Sequence, residues 1–229
     1  MGIRHALKHG ADLIWLLNND TEVAPDCVAE LLAAAAAHPE CALFGPKILL
    51  YDRPQVLWYA GGHVHLHRPA GSSHLGLFES DRPRYDEPGP ISFVTGCALL
   101  IRRSAVETIG ELDGDLFIYS EDLDWSLKTA RAGLRAWYVP RARLWHKVSS
   151  SYASDAGRVA QTYLAARSRF IVQRRHGSGL SVLALIPAYL GSRLARHAYR
   201  AAAGGNPRLL VALIQGMLDG LSGRARRYP

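Results

Sequence analysis

The spacing of apolar positions predicts alternating strands and helices over the first two thirds of the chain, then helices alone. Leu13-Ile14-Trp15-Leu16-Leu17 is an unbroken apolar run that follows Gly10 and ends in Asn18-Asn19-Asp20. A run of this kind predicts a strand buried on both faces, as in a parallel sheet covered by helices. Ligands of such sheets bind beyond the carboxyl ends of the strands. Asp20 therefore falls on a strand-to-helix loop, where its carboxylate either meets a ligand or caps a turn. Gly2 to His9 reads as the end of a helix, closed by Gly10 in a left-handed conformation.

Beyond Asp20, Pro25 suits a first helical turn, and Val28, Leu31, Leu32 and Ala35 form an apolar stripe that stops before His38-Pro39. Cys41-Ala42-Leu43-Phe44 predicts a short buried strand. Residues 51–92 are rich in Gly, Pro and His, so short hairpins and a long loop are expected. Within them His63, His65 and His67 alternate, which would put three imidazoles on one strand face, as metal ligands or as a solvated surface. Phe93 to Ile101 is strand-like but interrupted at Thr95-Gly96-Cys97. Ser104 and Glu107 have the spacing of a capping box. Ser120 is a candidate N-cap for a helix whose first turn holds Glu121, Asp122 and Asp124, and Leu134 to Val139 predicts a last short strand before Pro140. A long helix is expected from about Asp155 to His176, with Val159, Tyr163, Ala166 and Phe170 on one face. Two amphipathic stretches follow near Leu180–Ala202 and Pro207–Ser222, with Arg193, Arg196 and Arg200 along one side.

Charge changes this picture. Of the 229 residues, the first 150 hold fifteen Lys/Arg against eighteen Asp/Glu, while the remainder hold twelve arginines against two acids. The division suggests a neutral-to-acidic domain over 1–150 and a basic helical extension over 151–229 that faces an anionic surface. Cys27, Cys41 and Cys97 form no C-x-x-C pair, which fits a reducing compartment without a thiolate zinc site. Met1 to His9 lacks the apolar core of a signal peptide, and no apolar run is long enough to span a bilayer. The arginines lie on amphipathic helices with little aromatic interleaving, which argues against nucleic acid as a partner.

Two carboxylate sites stand out, Asp20 and the Glu121-Asp122 pair, because each follows an apolar segment. One could hold a hard divalent cation through oxygen while the other takes a proton from a hydroxyl nucleophile. Helix capping is the plainer reading for Glu121 and Asp124. His146, in Leu144-Trp145-His146-Lys147, could add a ligand or a hydrogen bond to phosphate.

N-N-D-T-E-V after an apolar strand, G-P-K-I-L at Gly45–Leu49, T-G-C-A-L-L-I-R-R at Thr95–Arg103, Y-S-E-D-L-D-W-S at Tyr119–Ser126 and W-H at Trp145–His146 resemble, in order and spacing, the motifs of family 2 glycosyltransferases. The resemblance is closest to the rhamnosyltransferase-like branch and covers about residues 1–175. It implies an α/β fold of GT-A type, a Rossmann-like mixed sheet flanked by helices. It also implies a metal-dependent, inverting transfer of a sugar, with rhamnose the sugar the branch suggests. The donor would be a nucleotide-diphosphate sugar and the acceptor a hydroxyl of a cell-envelope glycan or lipid-linked molecule. By the same resemblance Asn18-Asn19-Asp20 is a variant D-x-D motif, with Asp20 and His146 holding Mg2+ or Mn2+. Asn18, Asn19, Thr95 and Gly96 then lie at the donor. Asp122 is the catalytic base with Glu121 beside it at the acceptor. Trp125 is an acceptor-side wall or a core aromatic.

The family pattern usually opens with a V-S-V-V-I-V strand, a D-N-x-S-x-D strand end and a glycine-rich stretch that bind the base and ribose. This sequence starts at the G-I-R-x-A-L helix that comes after them. The expectation is a truncated GT-A domain, with the first part encoded upstream or supplied by a second chain. A catalytically silent remnant or binding partner is the alternative. The expected location is cytoplasmic, with the basic helices peripheral on the inner face of the cytoplasmic membrane.

Overall fold

Strand Cys41–Leu50 is buried at all ten positions, and the first part of the molecule forms around it. The computed structural model describes residues 1–68, 71–148, 154–194 and 206–223. In chain order its elements are α1 (Gly2–Lys8), β1 (Leu13–Leu17), β2 (Thr21–Val23), α2 (Cys27–Ala37), β3 (Cys41–Leu50), β4 (Arg53–Tyr59), β5 (Gly62–His65), β6 (Gly71–His74), β7 (Gly89–Ile91), β8 (Ala98–Arg102), α3 (Arg103–Ile109), α4 (Glu121–Arg131), β9 (Arg135–His146), α5 (Asp155–His176), α6 (Gly179–Tyr189) and α7 (Arg208–Ser222). They divide into two compact units. The first comprises Met1–Val64, Ser73–Leu112 and Trp125–Val148; the second comprises His65–Ser72, Asp113–Asp124 and the described residues after 148.

The first unit holds a mixed sheet of order β1-β8-β3-β9-β2, with β4 also on β3 and β7 also on β9. β3 and β9 run parallel, whereas β1, β3 and β8 pair antiparallel. β1 is thus an edge strand in an antiparallel pair, not an interior strand of a parallel sheet. Its apolar run still has a cause on both faces. Ile14 and Leu16 face a cluster with Ile3, Leu43, Leu99 and Val106, while Leu13 and Trp15 face one with Cys27, Leu31 and Phe44. Apolar periodicity reports what covers a strand, not how many strands lie beside it.

Both central strands run through a proline and are longer than the short strands expected at Cys41–Phe44 and at Leu134–Val139 before Pro140. Pro46 pairs with Val139, the next pair is Lys47 with Arg143, and the register shift between them takes in Pro140. A proline has no ladder donor, so an irregularity of this kind is where a strand tolerates one. Beyond it β9 continues to His146 and pairs with β2.

Helix α1 ends as expected, with Gly10 at φ +80° and the Ala11 and Gly10 amides on the carbonyls of Ala6 and Leu7. The Ser104–Glu107 capping box does not form. α3 starts at Arg103, two residues before the helix that Ser104 would cap, and Arg103 donates from its side chain to the carbonyls of Leu7 and Ala11 at 2.8 and 2.9 Å. β5 ends at His65, so His67 falls outside the strand and the three alternating histidines do not share one strand face.

The second unit is helical. α5 buries Val159, Tyr163, Ala166 and Phe170 as its sequence stripe suggests. α7 approaches it closely through Gly216 and Gly220, where an added Cβ would collide with the α5 carbonyls of Tyr163 and Arg167. α6 stops at Tyr189, followed by a π-helical turn at Leu190–Leu194. Arg196 and Arg200 lie outside the described residues.

Lys47 is fully buried on β3, and its ammonium donates to Asp81 at 2.8 Å and to Asp86 at 2.5 Å. It ties the segment after β6 to the sheet. Removing one partner of a buried pair typically costs ~3 kcal/mol or more, less where a partner reaches solvent. Asp86 is 48% exposed, so Lys47→Met should lower stability by about 2 kcal/mol in urea unfolding. An unchanged midpoint would mean that the pair does not hold this segment.

Candidate active site

In the first unit the loop after β1 is held from two sides. The Asn18 amide donates to the Cys97 carbonyl at 2.9 Å, and the Lys147 amide donates to the Asp20 carbonyl at 2.9 Å. Thr21 adds its hydroxyl to the Asn18 carbonyl at 2.7 Å, and β2 then aligns Thr21 with His146. The fold thereby gathers Asn18, Asp20, the Thr95-Gly96-Cys97 turn and His146. Asp20 Oδ1 lies 3.1 Å from His146 Nε2, with the histidine side chain 8% and the aspartate side chain 25% exposed.

Two residues complete this cluster that the sequence did not suggest. Trp58 on β4 meets the His146 ring edge-on, with centroids 4.7 Å apart, and meets His74 edge-on at 4.6 Å. His74 Nδ1 in turn lies 2.9 Å from the Trp58 carbonyl. Burial pushes both imidazoles below their ordinary pKa. Asp20 partly offsets this for His146, whereas for His74 the nearby His146 adds to it. A neutral imidazole is the form that ligates metal.

The donor set suits a divalent cation. Asp20 Oδ1 is buried and no hydrogen-bond donor meets it with proper geometry among the described residues. Adjacent corners of an octahedral site with bonds of ~2.1 Å are about 3 Å apart, close to the observed separation. No third His, Cys, Asp or Glu joins them among the described residues, so substrate oxygens or water would complete the shell.

In the second unit Leu116–Tyr119 leads into α4 through a constrained backbone. Phe117, Tyr119 and Ser120 have φ of +51°, +68° and +64°, a left-handed region that costs side-chain-bearing residues energy and often marks functional sites. The acids beyond this turn are distinct. Burial, followed by the charge of Asp122, raises Glu121 to about 7. Asp122 Oδ1 accepts from the Leu123 amide at 2.8 Å. Asp124 is fully buried and accepts from His176 Nε2 at 2.7 Å. Trp125 belongs to the first unit, where it is fully buried among Ile14, Leu43, Leu99 and Ile101 and presents no surface to a ligand.

A sequence profile of glycosyl transferase family group 2 matches residues 13–217, from β1 into α7. The chain belongs to this family. It is 30% identical over 181 residues, 72% of its length, to the N-acetylglucosaminyl-diphospho-decaprenol L-rhamnosyltransferase of Mycobacterium tuberculosis. It is 29% identical over 134 residues, 58% of its length, to galactofuranosyltransferase GlfT1 of Mycolicibacterium smegmatis. It spans 57% and 43% of those relatives, about half their length. Among solved structures, GalNAc-T7 with UDP, GalNAc and Mn2+ superposes with a TM-score of 0.52 at 17% identity, over 75% of this chain and 33% of that one. The mannosyltransferase PcManGT of Pyrobaculum calidifontis, in complex with GDP-Man and Mn2+, gives 0.51 at 16% identity, over 96% of this chain and 66% of that one. The family 2 chain therefore has the GT-A type of fold, a mixed sheet flanked by helices.

The raised Glu121 has a measurable consequence. The folded chain keeps that proton up to about pH 7, whereas the unfolded chain releases it near 4.5, so stability falls as pH rises through this window. Glu121→Gln cannot ionise. Its melting temperature should exceed that of the wild type at about pH 8 and match it at about pH 4. Equal melting temperatures at both would remove the case for a buried, proton-holding Glu121.

Proposed function

We propose that this chain carries the catalytic part of a metal-dependent inverting glycosyltransferase. It would transfer a sugar of the rhamnose class from a nucleotide-diphosphate donor to a hydroxyl of a glycan or lipid-linked acceptor. The observation that carries this reading is the Asp20–His146 pair, a half-buried carboxylate 3.1 Å from an imidazole whose pKa is lowered by burial, in a chain of this family. The similarity to an L-rhamnosyltransferase supports the choice of sugar and acceptor class.

Asp20 and His146 would hold Mg2+ or Mn2+, which neutralises charge on the departing nucleotide diphosphate. Asn18, Asn19, Thr95 and Gly96 would contact the donor, since the Asn18 amide is held by the carbonyl of Cys97, the residue after Thr95-Gly96. Asp122 is the base that takes the acceptor proton, and Glu121 orients the acceptor. With its own proton held to about pH 7, Glu121 can donate a hydrogen bond where Asp122 accepts one.

Calorimetric titration with a nucleotide diphosphate and Mn2+ tests the metal site. Binding should need the metal and should fall at least about tenfold in Asp20→Ala, as expected when a ligand of a charged site is lost. Absence of binding at millimolar ligand would refute the reading for this chain. Asp122→Asn should abolish sugar transfer and leave donor binding nearly intact; loss of donor binding would instead move Asp122 to the donor side.

We further propose that the second unit rests on an anionic membrane surface on the cytoplasmic side. Among the described residues no helix is long and apolar enough to cross a membrane. Yet Leu180 and Leu183 on α6 are 80% and 64% exposed, and Val211 and Leu218 on α7 are 53% and 55% exposed. Apolar faces beside arginines suit an interfacial position. The chain should float with anionic vesicles and not with neutral ones, and Leu180→Asp with Leu183→Asp should weaken flotation. Binding that ignores lipid charge would contradict this placement.

A further inference from the structure

Helix α5 buries polar side chains where a helix in a core would carry apolar ones. Arg167, Ser168, Arg169, Gln173 and His176 are each at most 9% exposed. Burying a guanidinium without compensation is strongly unfavourable, so the partners of these groups identify what the row does. Arg167 donates to the Asp115 carbonyl at 2.5 Å and reaches that of Leu116 at 3.4 Å. The Ser168 hydroxyl lies 3.1 Å from the carbonyls of both Leu116 and Ile118. Arg175 adds the carboxylates of Asp113 and Asp115 at 2.6 and 3.1 Å. His176 Nε2 donates to Asp124 Oδ1 at 2.7 Å.

These contacts converge on the twelve residues Asp113–Asp124, which lead into and open α4. The same stretch contains Phe117, Tyr119 and Ser120 in left-handed backbone. Three such residues in a span of four do not stay in place unaided; the surrounding structure must over-determine them. α5 does so in two ways. Its arginine and serine hold the carbonyls ahead of the acids, and its histidine holds Asp124 just behind them. Glu121 and Asp122 lie between the two grips.

We propose that His176, acting through Asp124, is a positioning residue for the Glu121-Asp122 acid pair, with Arg167 and Ser168 fixing the strained turn ahead of it. This rests on the proposed function in taking that pair as the reactive one. The basic helix is then part of the catalytic apparatus and not only an attachment surface. The contact is sharply defined, because Asp124 is the single acid of the three that is fully buried, and its partner comes from the last turn of a helix 52 residues away in sequence.

The full chain with His176→Leu, which removes the donor, and with His176→Gln, whose amide nitrogen can restore one, separates positioning from general stability. Two readouts are needed: hydrogen exchange by mass spectrometry, and kcat and KM for transfer from a panel of nucleotide-diphosphate sugars with Mn2+. In His176→Leu, exchange should quicken in peptides covering 113–124 while the sheet of the first unit keeps its protection. Its kcat should fall between about ten- and a hundredfold with donor KM nearly unchanged, the signature of a misplaced reacting group. His176→Gln should recover most of both. Unchanged exchange in 113–124, uniform quickening across the chain, or an unchanged kcat would each overturn the proposal. A wild-type chain that transfers none of the sugars would instead overturn the functional reading on which it rests.

Discussion

The parallel pairing of β3 with β9 is the constraint on which the first unit depends. Both strands carry a proline at nearly the same level, and the ladder yields there by shifting register between the Pro46–Val139 and Lys47–Arg143 pairs. A one-residue change of register would turn every later side chain to the opposite face. The positions beyond the shift are therefore determined by it: Lys47 points into the buried ion pair with Asp81 and Asp86, and His146 arrives beside Thr21 with its imidazole toward Asp20. The Asp20–His146 contact is a consequence of how two prolines are accommodated roughly twenty ångströms of chain earlier along the strands, at about 3.3 Å per residue.

The chemistry of both units comes from desolvation set against one neighbouring charge. For His146 burial lowers the pKa and Asp20 raises it, with burial the larger. For Glu121 burial and Asp122 act in the same direction, and the carboxyl keeps its proton to about 7. The first arrangement favours a neutral imidazole at His146; the second leaves Glu121 holding its proton beside Asp122. Desolvation favours the neutral form of either group, raising an acid and lowering a base, and the neighbouring charge then adds to it at Glu121 and opposes it at His146.

Local pattern made much of this legible, and long-range pairing made the rest invisible. The stripe of α5, the left-handed Gly10 and the apolar segments ahead of Asp20 and Glu121 follow from three to five neighbouring residues, and the structure bears these out. The Ser104–Glu107 capping box matched the same kind of rule and failed, because Arg103 finds better acceptors on α1 some ninety positions away. Leu13–Leu17 records the helices above and below β1, while its antiparallel pairing with β8 in place of the expected parallel one leaves no trace in its own sequence. Trp58, His74 and His176 carried no signal at all, since a lone aromatic or histidine acquires meaning only from what the fold brings against it. The roles given to Asp20, Glu121 and Asp122 came from linked motifs, not from any one of them.

The same reasoning changes how the charge of the basic region should be counted. Twelve arginines against two acids in residues 151–229 look like one electrostatic surface. Arg167 and Arg169 are not part of it. Both are 2% exposed and spend their donors on backbone carbonyls of Asp115, Leu116, Leu66 and Arg68. Burial lowers the pKa of Arg169 to about 10, still well above neutrality, so its charge is kept and enclosed. Arg175 is engaged by Asp113 and Asp115, two acids counted with the other part of the chain. Arginine suits this work because its planar fork can satisfy several carbonyls at once. A substitution to lysine would preserve the net charge and still lose the geometry, so charge-conserving changes distinguish the arginines that hold the acid turn from those that can face an anionic surface.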